Sequence, residues 1–198
     1  WRPEQMEGLA RLHPSATNTG VICGELVGLD IDTADGDVAD AICAMVEQLP
    51  GADAAPYRIG RAPKRLYLFR TSSPRGKVST GAYQINGVKC QVEVLGVGNQ
   101  FVAYGVHPDT GRDYEWFNGS PAETPLSDLP EISSADIDAL LGRVEPFLAQ
   151  RGTLLKRGSK SPANDNVRPA HIWSDHPWSD LNQRALAHLD AWVPQLGL

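Results

Sequence analysis

LVGLDIDTADG, residues 26–36, constrains this chain more than any other stretch. It is apolar enough to be a buried strand, yet it carries two aspartates one residue apart. Side chains alternate across a strand, so Asp30 and Asp32 project from one face while Leu29 and Ile31 project from the other. Two carboxylates then share one patch, and if both are ionised something positive must stand nearby. One arrangement is a helix cap or a solvated turn. A calcium loop is a second, but its register fails: with Asp30 at position one, Ala34 takes the fifth ligand position, Asp35 replaces the sharp-turn glycine and Ala41 replaces the bidentate glutamate. The third is a divalent-metal site for phosphoryl or nucleotidyl transfer, in which paired carboxylates hold Mg²⁺ or Mn²⁺.

Such a site wants a third acid and phosphate-binding cations. Glu93, in CQVEVLG, sits among apolar neighbours with Val92 and Val94 facing away from it. Taken alone it reads as an edge-strand surface residue; taken with the aspartates it reads as a ligand. The cations are concentrated between Ala54 and Tyr83, where Arg58, Arg61, Lys64, Arg65, Arg70, Arg75 and Lys77 occur without one Asp or Glu. The formal net charge of -6 excludes a surface that is basic throughout, so a nucleic-acid contact would have to be local.

Around this centre the pattern predicts a short helix over residues 3–13 and one extended strand over VICGELVGLDID, punctuated by Gly24 and Gly28. A helix over DVADAICAMVEQLP follows, with Val38, Ile42, Val46 and Leu49 at helical spacing. PYRIG, RLYLFR, VKCQVEVLG and NQFVAYGVH read as strands, the last two joined by a glycine-rich turn. After a polar excursion, SSADIDALLGRVEPFLAQRG reads as a capped helix bent at Pro146. The mixture indicates an α/β or α+β protein. Residues 1–150 form the expected catalytic domain, and 151–198 a linker and an amphipathic helix leading to a downstream domain. His171 and His176, five apart, are not at a helical metal spacing, so HIWSDHPW reads as a docking segment. Cys23, Cys43 and Cys90 are scattered, which indicates neither a disulfide framework nor a thiolate zinc site and fits a reducing cytoplasm. No apolar run is long enough to span a bilayer, and the opening WRPEQMEGLARLHP lacks a secretory core and an initiator Met, as in an excised piece of something larger.

TNTGVICGELVGLDIDTADG, then IGRAPKRLYLF, then VEVLGVGNQFVAYGVHPDTGRDYEW together resemble the bifunctional DNA primase/polymerase (Prim-Pol) domain of phages and plasmids, in the archaeo-eukaryotic primase superfamily. The resemblance covers roughly residues 1–132. It implies a catalytic module related to the RNA-recognition motif, packed on a smaller α/β unit. To that core the C-terminal helix would be an appendage. It also implies template-directed synthesis from nucleoside triphosphates in phage or plasmid replication within a bacterial host cell. A single-stranded DNA template and primer would be substrates, and a fused or associated helicase a partner. Asp30 and Asp32 correspond to the first metal-binding motif and Glu93 to the third acid, together holding two Mg²⁺ or Mn²⁺ ions. Arg65 stands where most relatives have a histidine that meets the incoming phosphates; Arg61 and Lys64 would join it there. The rest of the basic stretch would steer the template, and His107 would contact nucleotide or template, or else cap its own turn. A module of the same fold without turnover and a two-metal nuclease are the alternative functions.

Overall fold

The strand that carries the aspartates is the middle of the large sheet. In the computed structural model, which describes residues 18–159, β2 (Leu26–Thr33) lies between β4 (Arg65–Arg70) and β7 (Val88–Leu95), antiparallel to both. The full sheet has eight strands. Its order is β10 (Thr153–Lys156), β6 (Ala82–Ile85), β7, β2, β4, β3 (Tyr57–Ile59), β9 (Glu115–Phe117), and the short β5 (Val78–Ser79) also pairs with β7. The protein is therefore mixed α/β with an antiparallel sheet, at the α+β level expected from the sequence.

Alternation along β2 sorts the two faces. Val27, Leu29 and Ile31 join Tyr67, Phe69, Val92 and Val94 under two helices, α1 (Gly36–Val46) and α2 (Ser134–Ala149), which contribute Val38, Ile42, Val46, Ile137, Leu140, Val144 and Leu148. Both helices begin on side-chain caps. Asp35 accepts from the Val38 N–H at 3.0 Å, and Ser133 and Asp136 form a reciprocal capping box. The helix cap after β2 is thus Asp35, which leaves Asp30 and Asp32 for another purpose. The second helix runs through Pro146 and is tied to β6 by Glu145, which accepts from the Tyr83 hydroxyl at 2.6 Å and from the Gly81 N–H at 2.7 Å.

On the other face a two-stranded antiparallel sheet, β1 (Thr19–Ile22) with β8 (Gln100–Tyr104), covers one end of the large sheet. Val21, Cys23, Phe101 and Ala103 pack there on Leu66, Leu68 and Leu95. Gly28 lets the Phe101 ring come close: a Cβ at that position would already lie 3.5 Å from it. Two residues further along the same face stands Asp30.

The structure departs from the sequence reading in three places. The single strand expected over residues 21–32 is two, because the chain turns at Cys23–Glu25 and sends β1 and β2 into different sheets. β7 and β8 are not partners either. Gly96 packs against the Arg75 carbonyl, where a Cβ would lie 2.0 Å from the oxygen, and Val97 N–H donates to that oxygen at 2.8 Å, turning the chain away. Finally, Thr153–Lys156, assigned to a linker, forms β10 along β6. The expected helix over residues 3–13, the C-terminal helix, and His171 and His176 lie outside the described residues.

A charged cleft beside three carboxylates

The register of β2 places the acids. Asp30 is directly opposite Glu93 on β7, and Asp32, one pleat on, is opposite Gln91. Directly paired residues share a face, so Asp30, Asp32 and Glu93 all stand on the side away from the helices. Burial, then repulsion from Asp32, raises the Asp30 carboxyl to about 6, with Glu93 adding to the rise and Arg58 and Lys64 opposing it. Asp32 differs: burial works against its charge, but Lys64 Nζ at 2.6 Å and Lys89 Nζ at 2.8 Å hold it below the usual carboxylate range. Lys77 Nζ pairs with Glu93 at 2.7 Å. No cationic nitrogen lies within ion-pair distance of Asp30 among the described residues.

A cleft of about 190 Å³ opens over Asp30 and Asp32. Arg58, Arg61 and Lys64 are its cations, and His107 and Tyr114 line it with them. Gly60 is required where these meet, since a Cβ would come within 2.3 Å of the Tyr114 ring and 2.7 Å of His107. Arg61 reaches across to Asp109 at 3.0 Å, both side chains being well exposed. His107 Nδ1 accepts the Asp109 N–H at 3.2 Å, so the neutral ring carries its proton on Nε2. It is both a turn-capping residue and a cleft residue.

Arg65 belongs mainly to the other face. It is opposite Ile31, its guanidinium lies 3.8 Å from Asp40 on α1 and over the Tyr57 ring, and a hydrogen bond with Tyr67 holds its pKa up. It contributes to the rim of the cleft. The basic stretch is therefore not one patch: Arg70 pairs with Glu131 and Arg75 with Asp138, both at 2.8 Å. Glu93 stands one strand over from Asp30 and outside the cleft lining.

Several residues around the acids go beyond the sequence reading. Lys89 shares a face with Gln91 and Glu93, which the period of two in VKCQVEV does contain. Gly60 and Tyr114 carry no local signal, and Arg58, read only as one cation of the basic stretch, joins them at the acids through the pairing of β3 with β4 and the return of the 107–114 loop.

Three carboxylates are hard oxygen donors of the kind that suit Mg²⁺ or Mn²⁺. Among the described residues no three His, Cys, Asp or Glu side chains are set to hold a metal ion as they stand. Lysines already engage both Asp32 oxygens and one Glu93 oxygen. The donor set fits a divalent cation provided that the lysines yield, and Asp30, buried and repelled by Asp32 and Glu93 without an ion pair of its own among the described residues, is the group such a cation would relieve.

An antiparallel α+β domain whose sheet carries acids beside a cation-lined cleft defines a class equipped to handle phosphates. The chain belongs to the bifunctional DNA primase/polymerase, N-terminal (Prim-Pol) family, whose model matches residues 2–132. Membership suggests DNA primase/polymerase function and implies DNA and nucleotides as substrates. No curated protein and no solved structure matches the chain. Among the described residues no helix is long and apolar enough to cross a membrane.

Proposed function

We propose that this cleft carries out template-directed nucleotidyl transfer, extending a DNA primer or starting one, as part of phage or plasmid replication in a bacterial cell. The observation that carries the reading is the register: Asp30 faces Glu93 across one ladder, with Asp32 one pleat away, beside a cleft walled by Arg58, Arg61 and Lys64. When bound, two Mg²⁺ or Mn²⁺ ions held by Asp30, Asp32 and Glu93 would supply Lewis-acid activation of the primer 3′-hydroxyl and charge neutralisation at the triphosphate. The new bond joins the 3′ oxygen to the α-phosphorus, and the bond to the leaving pyrophosphate breaks.

The chain's own residues prepare this. Lys64 exchanges Asp32 for the triphosphate, keeping its charge paired throughout. Arg61 swings from Asp109 to the β- and γ-phosphates, an inexpensive move because the pair is exposed. Arg65, at the rim, adds positive potential without leaving Asp40. His107 donates from Nε2 to nucleotide or template. The archaeo-eukaryotic primase architecture, a C-terminal helical appendage and a helicase partner belong to the same proposal.

Primer extension with Mg²⁺ or Mn²⁺ tests it. Asp30→Ala, Asp32→Ala and Glu93→Ala should each lower synthesis by about 10²–10³-fold; synthesis that survives all three overturns the assignment. The lysine pairs on Asp32 and Glu93 favour a second reading, a nucleotide-binding module without turnover. There the unaltered protein would bind triphosphates and extend nothing.

A further inference from the structure

Arg58 stands apart from the other cations near the acids. Arg61, Lys64, Lys77 and Lys89 each have a carboxylate within ion-pair distance; among the described residues Arg58 has none. It is also held more firmly. One guanidinium nitrogen donates to the Val102 carbonyl of β8, and the guanidinium carbon lies 4.3 Å from the centre of the Tyr114 ring. Its Nε–H is enclosed and meets no acceptor among the described residues. The side chain also lines the cleft over Asp30 and Asp32, and a part-buried cation without a carboxylate partner is stabilised when an anion enters beside it.

The sheet register says which anion. Arg58 is opposite Leu66, Leu66 is opposite Asp30, and Asp30 is opposite Glu93, so the four form one row across β3, β4, β2 and β7. At about 4.8 Å per strand, the Asp30 and Arg58 backbones stand about 10 Å apart with apolar Leu66 as the floor between them. That gap suits a phosphate with the carboxylates on one side and the guanidinium on the other. A template strand at the surface would use mobile exposed cations, whereas Arg58 is fixed at the depth of Asp30.

We propose that Arg58 contacts the phosphate that undergoes attack, through its non-bridging oxygens, and stabilises the charge that develops there in the transition state. The inference rests on the nucleotidyl-transfer reading and adds a catalytic residue to it. Burial lowers the guanidinium pKa, against the pull of Tyr114 and Asp30, but an arginine stays charged at neutral pH. A group that binds the reacting phosphate more tightly in the transition state than in the ground state acts on kcat rather than on KM.

The test uses the full chain with Mn²⁺, a primed template and single-nucleotide incorporation, together with binding of a non-hydrolysable triphosphate. Arg58→Ala should lower kcat by about 10²–10³-fold and leave KM and analogue affinity within about fivefold. Arg58→Lys should recover only part of the loss, because an ammonium lacks the planar fork. Added guanidinium at a non-denaturing concentration should restore kcat to Arg58→Ala and not to Asp30→Ala. Unchanged kcat in both variants, or a loss confined to KM, overturns the inference while leaving nucleotidyl transfer intact. Lack of rescue together with a lowered melting temperature in both variants assigns Arg58 a structural role and overturns it as well. Absence of synthesis by the unaltered protein sinks the underlying reading instead.

Discussion

The two faces of β2 share one backbone and answer to different physics. Leu29 and Ile31 are fully buried, at 0% exposure, beneath α1 and α2. Asp30 and Asp32, their immediate neighbours, are half-buried on a face where apolar cover reaches Gly28, Leu66 and Leu95. On the helix face each side chain is dictated by the volume it fills. On the cleft face two like charges sit side by side, and Asp30 is harder to ionise, first through burial and then through repulsion from Asp32. Fold and proposed chemistry therefore occupy alternate residues of one strand, and substitutions should separate them.

The largest effect is expected on the helix face. Leu29→Ala should cost about 3 kcal/mol in denaturant unfolding, since the transfer loss and the cavity add. The remaining folded protein should bind triphosphate as before. A cost below about 1 kcal/mol would mean that the helix face repacks freely, and the contrast between the faces would fail.

Asp30→Asn should do the opposite. The Asp30 carboxyl is raised from 3.8 to about 6 in the folded chain. A raised pKa contributes stability below pH 4 that is lost as pH climbs through 6, so the ionised carboxylate burdens the native state at neutral pH. In metal-free buffer the variant should match the unaltered protein near pH 4 and exceed it by about 2–3 kcal/mol at pH 7–8, several degrees in Tm. A pH-independent difference would show that the burden is not the charge. Loss of synthesis alongside gained stability would be the signature of a site retained for chemistry.

Much of this division was legible in the sequence. The period of two in LVGLDIDT fixed which residues face the helices, and a period near 3.6 located both helices. What could not be read was long-range. Gly24 and Glu25 inside VICGELVGL do accompany the turn at Cys23–Glu25, but where β1 and β2 go after it is set by pairing with β8 and β4. The β7–β8 turn looks like a hairpin until the Arg75 carbonyl, twenty-odd residues away, is seen against Gly96. All four side chains of β10 are exposed, so it carries no alternation and is placed by main-chain pairing with β6. The acids were visible because alternation exposes them. Arg58 was visible only as one cation of the basic stretch, since a row across four strands has no counterpart in linear spacing. The same holds for Arg65, whose conspicuous charge hides that it sits opposite Ile31 and leans toward α1.

The smallest effect tests the cleft face alone. Asp32 is held by two lysines that differ in place: Lys64 lines the cleft, whereas Lys89 is 49% exposed on β7 and lies outside it. Removing Lys89 frees one Asp32 oxygen and withdraws a positive charge from the approach of a divalent cation. Both consequences favour Mn²⁺, but an exposed pair contributes only about 0.2–1 kcal/mol. Lys89→Met should therefore tighten Mn²⁺ binding without nucleotide by about two- to fivefold, read from the thermal shift the metal produces. The gain should shrink as salt screens the pair. Lys64→Met should free the other oxygen equally and yet weaken triphosphate binding, because its ammonium lines the cleft. If Lys89→Met instead loosened Mn²⁺, the lysine would be orienting Asp32 rather than competing for it, and the acid face would be as dependent on local packing as the helix face is.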